Sequence, residues 1–73
     1  MNSDLDKNPL WGLLVETAHS LPLYKNHKNY VQEVIFPVKP DIKPEEISER
    51  LNMPLGEAMV ILEELYRETP KRD

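Results

Sequence analysis

The chain has 73 residues and a net charge of −4, with 9 lysines and arginines against 13 aspartates and glutamates, and it contains no cysteine. A chain of this length forms one small domain, and without cysteine neither a disulfide framework nor a thiolate metal site can stabilise it. Stability is therefore expected from a regular helical core or from dimerisation. The acidic balance excludes a generally basic protein that coats nucleic acid.

The sequence has neither an apolar run long enough to span a membrane nor the start of a secretory signal, which indicates a soluble protein. No apolar run approaches the ~20 residues that a membrane-spanning helix needs, and the first residues, MNSDLDKNPL, are acidic and polar, unlike the basic start of a secretory signal. We therefore expect a cytoplasmic protein that makes no membrane contact. Residues 1–7 lack periodicity and are expected to be disordered, ahead of a single domain over 8–69 and a polar tail over 70–73.

The first predicted helix lies in NPLWGLLVETAHSL. Asn8 is a good N-cap, and Pro9 suits the first helical position, where an N–H would have no partner. An apolar stripe at helical spacing should face the core, and it comprises Leu10, Leu14, Ala18 and Leu21. Pro22 stops the helix, so we expect it over about 9–21.

The next segment has two interpretations. PLYKNHKNY is polar and rich in asparagine, which predicts a loop. NYVQEVIFPV follows, and as a helix it would start at Asn29 with Gln32 as its capping-box partner. As a strand it would pair with LPLY in a short β-hairpin within 21–36, which its β-branched and aromatic content supports. The capping pair and the i, i+4 apolar spacing favour the helix, and Pro37 ends either version.

Two further helices follow an extended connector. KPEEISERL predicts a short helix with Pro44 at its first position and two glutamates in its first turn, where the helix dipole favours negative charge. Its inward residues are Ile47 and Leu51. After a turn, Pro54 opens a longer helix to about Glu68, whose buried side is marked by Ala58, Leu62 and Leu65.

The run PEEISERLNMPLGEAMVILEEL, residues 44–65, resembles the helix-turn-helix of winged-helix and related transcription regulators. The positions that carry this resemblance are Ile47, Leu51, Met53, Ala58 and Leu62. It implies a mainly α domain of three to four helices that binds double-stranded DNA with its second motif helix, and a transcription regulator that acts as a homodimer. Two features depart from the pattern: Pro54 stands where most regulators have serine or threonine, and the sequence after Leu65 has no room for a two-stranded wing.

The predicted outward face of that second helix comprises Leu55, Gly56, Glu57, Met59, Val60, Glu63 and Glu64. It lacks the arginine, asparagine and glutamine that most often read base edges. DNA binding would therefore depend mainly on phosphate contacts, from Lys25, Lys28, Lys39, Lys43, Arg50 and Arg67. The alternative is a protein-interaction or dimerisation module without DNA binding, whose interaction face is Leu55, Met59 and Val60. The resemblance narrowly favours DNA, because a dimer can bury the apolar face while basic loops meet phosphate.

The sequence indicates no enzyme. It contains no nucleophile–base pairing, phosphate-binding glycine loop or metal constellation, so we expect no catalytic residue, cofactor or metal. His19 and His27 lack the close spacing of a metal pair, and His27 is expected to be a solvated loop residue. Trp11 is expected to pack in the core or an interface.

Overall fold

A computed structural model describes residues 8–68, and over this part of the chain the fold is mainly helical. The helices are α1 (Trp11–His19), α2 (Tyr24–Tyr30), α3 (Pro44–Leu51) and α4 (Leu55–Glu68), and a π-helical turn over Val31–Ile35 continues α2. α4 is the central helix, with α1 and α3 packed against it. The predicted disordered segment 1–7, the end of the last helix at Thr69–Pro70 and the tail 70–73 lie outside the described residues.

α1 begins close to its predicted start. Asn8 organises the entry: its Oδ1 accepts a hydrogen bond from the Leu10 N–H at 2.8 Å, and its carbonyl oxygen accepts one from the Trp11 N–H at 2.9 Å. Ala18 is buried, as the stripe predicted. Leu10 is 67% exposed, so its place in the core-facing stripe was wrong. It lies in the turn before α1, where the helical periodicity does not yet apply.

The predicted loop and the alternative β-hairpin within 21–36 are both wrong. The chain is helical from Tyr24, so α2 starts ahead of Asn29, and no strand occurs between residues 8 and 68. The buried positions Tyr24, Val31 and Ile35 share one helical stripe, and the positions between them on that stripe hold His27 and Lys28. These polar side chains are half-buried because carboxylates of α4 bind them. Because this helical stripe contains polar residues, the amino-acid composition of the segment is that of a loop, and the sequence therefore predicted a loop.

α3, the turn and α4 agree with prediction. Asn52 ends α3 in the left-handed conformation, with φ of 55°, as a helix C-cap requires. Ser48 closes the turn: its carbonyl oxygen accepts a hydrogen bond from the Met53 N–H at 3.1 Å, and its hydroxyl donates to the Met53 carbonyl oxygen at 2.6 Å. Five predicted core residues of this segment are buried, namely Ile47, Met53, Ala58, Leu62 and Leu65, and the sixth, Leu51, is half-buried. The kinship with transcription regulators stays a prediction.

The first turn of α4 lies close against α1. A Cβ placed on Gly56 would lie 2.9 Å from Leu14 Cδ1, which is closer than side-chain carbons approach. Gly56 therefore allows α1 to approach α4 at a position where the sequence predicted an outward face. The other glycine, Gly12, has open space around it.

Candidate functional site

A buried pair joins α2 to the start of α4. Glu57 is 3% exposed, and its Oε2 lies 2.7 Å from Nδ1 of His27. Both residues were expected to face solvent, and that was wrong. A buried carboxylate needs a hydrogen-bond partner, and His27 provides it from the middle of α2. The pair fixes the position of α2 along α4.

A second polar cluster lies further along α4. It comprises His19, Tyr24, Lys28, Glu64 and Glu68. The Glu64 carboxylate is at its centre: Oε2 lies 2.6 Å from Nε2 of His19, and Oε1 accepts hydrogen bonds from the Tyr24 hydroxyl and, at 3.1 Å, from Lys28 Nζ. Lys28 also donates to Glu68 Oε2 at 2.8 Å. The cluster connects the end of α1, the start of α2 and the second half of α4.

The electrostatics of this cluster favour the charged carboxylate and ammonium. Burial would raise the pKa of the Glu64 carboxyl, but hydrogen bonds from Tyr24, His19 and Lys28 outweigh it and hold that pKa below its usual value. Burial would likewise lower the pKa of Lys28, but hydrogen bonds to Glu68 and Glu64 raise it overall. Burial and the neighbouring carboxylates raise the pKa of the Tyr24 hydroxyl, so it stays protonated and donates. The cluster is suited to hold helices together, since its polar groups bind one another.

Four of the six predicted phosphate-contacting cations are bound to carboxylates. Lys28 belongs to the cluster just described. Lys39 Nζ and an Arg50 nitrogen lie 3.1 and 3.0 Å from the carboxylate of Glu46. Arg67 Nε lies 2.9 Å from Glu63 Oε2. Lys25 and Lys43 are exposed, and neither forms an ion pair with a carboxylate of residues 8–68. Lys25 and Lys28 line one pocket and Lys39 and Arg50 line another, so these four cations do not form one basic patch.

The predicted interaction face of α4 is only partly exposed. Leu55 is exposed and Met59 is half-buried, but Val60 is fully buried, so its assignment to an outward face was wrong. The physical reason is that α1 packs against α4 and side chains of α2 bind Glu57 and Glu64, so α4 is covered on more than the side that faces α3. Val60 lies on a covered side, whereas Leu55 and Met59, four residues apart, lie on the flank that stays open.

The open flank of α4 adjoins an apolar surface of α1. Between the two helices lies a shallow pocket of about 170 Å³, lined by Asn8, Leu10, Trp11, Leu14 and Met59. We call the surface formed by Leu10, Trp11, Leu14, Leu55 and Met59 the α1/α4 face. Sequence reasoning missed Leu10 as a surface residue. A signal was present, because residues 8–15 form a run of eight without an ionisable side chain.

Histidine, aspartate and glutamate side chains form no group of three or more that could hold a metal ion over residues 8–68. No described helix is both long and apolar enough to cross a lipid bilayer. Comparison of the chain with models of protein families, with curated proteins and with solved structures finds no match.

Proposed function

We propose that the chain is a small helical protein-interaction module that dimerises through the α1/α4 face. The observation that carries this proposal is an exposed apolar surface without charge in a chain that is 30% charged. The residues that line its pocket, Asn8, Leu10, Trp11, Leu14 and Met59, are all uncharged. Exposed apolar patches on small soluble domains mark interaction sites.

The shape of the face favours a second copy of the chain as its occupant. Its pocket is about 170 Å³, close to the ~150 Å³ of an apolar cavity that holds a benzene-sized group. Leu10 lines that pocket and is 67% exposed, and Leu55, four residues before Met59 on α4, is 44% exposed. A two-fold dimer needs a surface that offers both a pocket and a side chain to fill it, and this face has both. A chain of net charge −4 also repels its own copy except where uncharged surfaces meet.

Duplex DNA, which the resemblance to transcription regulators implies, has weaker support. Lys28 is bound by the carboxylates of both Glu64 and Glu68, and a phosphate would have to compete with them. The open flank of α4 presents leucine, methionine and glutamate, which offer no hydrogen-bond donor to a base edge. The interaction module is therefore the function that the geometry supports best.

Sedimentation equilibrium of the full chain tests the proposal. We expect a monomer–dimer equilibrium, and we expect Leu10→Glu and Met59→Glu each to weaken it by about tenfold or more, since a charge would enter an apolar contact. Val38→Glu is the matched control, because Val38 is 84% exposed and does not line this pocket. Circular dichroism confirms that each variant stays helical.

Two results would contradict the proposal. One is a chain that stays monomeric up to a concentration on the order of 1 mM, a dissociation constant that corresponds to an interaction of only about 4 kcal/mol. The other is a dimer that survives both Leu10→Glu and Met59→Glu unchanged. A parallel titration with duplex DNA at low salt, where phosphate contacts are strongest, separates the two functions. Tight binding there by a monomer would favour the DNA-binding alternative.

A further inference from the structure

A second apolar surface lies between the end of α2 and α3. A groove of about 460 Å³ is lined by Tyr30, Val34, Ile35, Val38, Lys39, Arg50 and Leu51. One wall is the row Tyr30, Val34 and Val38, which are 47%, 50% and 84% exposed. Ile35 is buried and Leu51 half-buried, so they form the deeper lining. None of these residues lines the pocket of the α1/α4 face.

A π-helical turn lies within this apolar wall. The Phe36 N–H donates to the Val31 carbonyl oxygen at 2.7 Å, five residues back, in place of the usual four. In a regular helix, side chains four residues apart drift steadily around the axis, and a wider turn opposes that drift. Tyr30, Val34 and Val38 can then follow one line. π-Helical turns are rare and occur frequently at functional sites.

Two cations flank the groove and share one carboxylate. Lys39 Nζ lies 3.1 Å from Glu46 Oε1, and an Arg50 nitrogen lies 3.0 Å from Glu46 Oε2. Two positive charges against one negative charge leave the rim with a net positive charge. The side chains of Lys39 and Arg50 are 46% and 54% exposed, so both can turn toward an incoming carboxylate. The rim is thus positive although the whole chain is negative.

We propose that this groove, the α2/α3 groove, binds an acidic amphipathic helix of a partner protein. Apolar side chains of such a helix, at i, i+4 and i+7, would pack along the row from Tyr30 to Val38. Glutamates or aspartates on its flank would pair with Lys39 and Arg50 and displace part of their interaction with Glu46.

Peptide binding followed by heteronuclear NMR tests this assignment. The probes are a panel of synthetic helix-forming peptides of about 16 residues, each with leucine or phenylalanine at i, i+4 and i+7 and glutamate on the flanks. A matched panel has lysine in place of glutamate. We expect acidic peptides to shift the backbone amides of Tyr30, Val34, Val38 and Leu51, and to bind about tenfold more tightly than their basic counterparts.

Three variants make the test specific. Val38→Asp should weaken the acidic peptides by about tenfold or more, because it places a charge in the apolar wall. Lys39→Gln combined with Arg50→Gln should remove the preference for acidic over basic peptides while apolar contacts remain. Met59→Glu, on the α1/α4 face, should leave peptide affinity unchanged. Because this control is monomeric under the proposed function, the two proposals can fail separately.

Several outcomes would overturn the assignment. Acidic peptides that bind no better than basic ones would remove the charge argument. Amide shifts that fall outside the groove, or the absence of shifts with the entire acidic panel, would remove the site. If Val38→Asp instead converted a dimer of the chain to monomer, the occupant would be a second copy and not a partner helix.

Discussion

The buried pair of His27 and Glu57 makes a testable contribution to stability, because a single substitution isolates it. Glu57 is 3% exposed, and its carboxylate lies 2.7 Å from the imidazole of His27. A hydrogen bond to a charged group contributes about 1.5–3 kcal/mol, and a buried charge left without its partner costs about 3–5 kcal/mol. The position of Glu57 in the first turn of α4 offsets about 0.3–1 kcal/mol of that cost, because the helix dipole favours negative charge there.

We therefore expect His27→Ala to lower the free energy of unfolding by about 3 kcal/mol at neutral pH. In a domain of this size each kcal/mol shifts the melting temperature by roughly 4–8 °C, so the midpoint should fall by about 12 °C or more. Urea denaturation followed by circular dichroism measures the change. Lys25→Ala is the matched control: it lies on the same helix but is exposed, and it should change stability by less than about 0.5 kcal/mol.

The double variant His27→Leu/Glu57→Leu distinguishes the charge from the space that the ring fills. Replacing both members of a buried pair with apolar groups is often neutral, so the double variant should recover most of the stability lost in His27→Ala. A loss of less than about 1 kcal/mol in His27→Ala would refute the argument. If the double variant were no more stable than His27→Ala, the loss of stability in His27→Ala would come from packing and not from the unpaired charge.

Two further predictions concern the glycines and the Glu64 cluster. Gly12→Ala should raise the free energy of unfolding by about 0.5–1 kcal/mol in thermal melts, because alanine favours helix and the new methyl group meets open space. Gly56→Ala should raise it by less, because the new methyl group displaces the Leu14 side chain and this offsets part of the same gain. Equal gains at both positions would contradict this contrast. The lowered pKa of Glu64 means that its contribution to stability is fully present above the ordinary glutamate value of 4.5 and is lost as pH falls through the lower value of the folded state. Denaturation midpoints should therefore fall on acidification, and Glu64→Gln, with Glu63→Gln as its matched control, should show a smaller fall.

The segment over α3 and α4 could be predicted from the sequence because its core is apolar and local. Ile47, Met53 and Ala58 lie near one another along the chain, and their spacing determines a short helix, a tight turn and a second helix. Pro44 and Pro54 mark the two helix starts. The apolar spacing and the prolines that predict this part of the fold all lie within α3, α4 and the turn between them.

α2 could not be predicted in the same way, because its buried stripe depends on distant partners. His27 and Lys28 are separated from Glu57 and Glu64 by 30 and 36 residues of sequence. Without knowledge of those carboxylates, YKNHKNY has the composition of a loop and lacks the apolar period of a helix. Hydrogen bonds to α4 therefore stabilise α2 as a helix, although its sequence lacks the apolar periodicity that predicts one.

The burial of Val60 has a simpler explanation, and the sequence contained a sign of it. Residues 58–62, AMVIL, are five consecutive apolar residues, which at about 100° per residue extend around the whole circumference of a helix. Such a helix is covered on more than one side. The helix-turn-helix pattern assigns one inward face and one outward face, and it therefore placed Val60 outside.

The position of α4 in the fold bears directly on what the protein recognises. A recognition helix has to leave the side opposite its partner helix open to the major groove. Here the predicted outward face of α4 includes Glu57, bound to His27, and Glu64, bound to three side chains of α1 and α2. Exposing it to a duplex would first separate α2 from α4 and leave two carboxylates facing phosphate. We therefore expect recognition to take place at surfaces that need no such opening, which are the α1/α4 face and the α2/α3 groove.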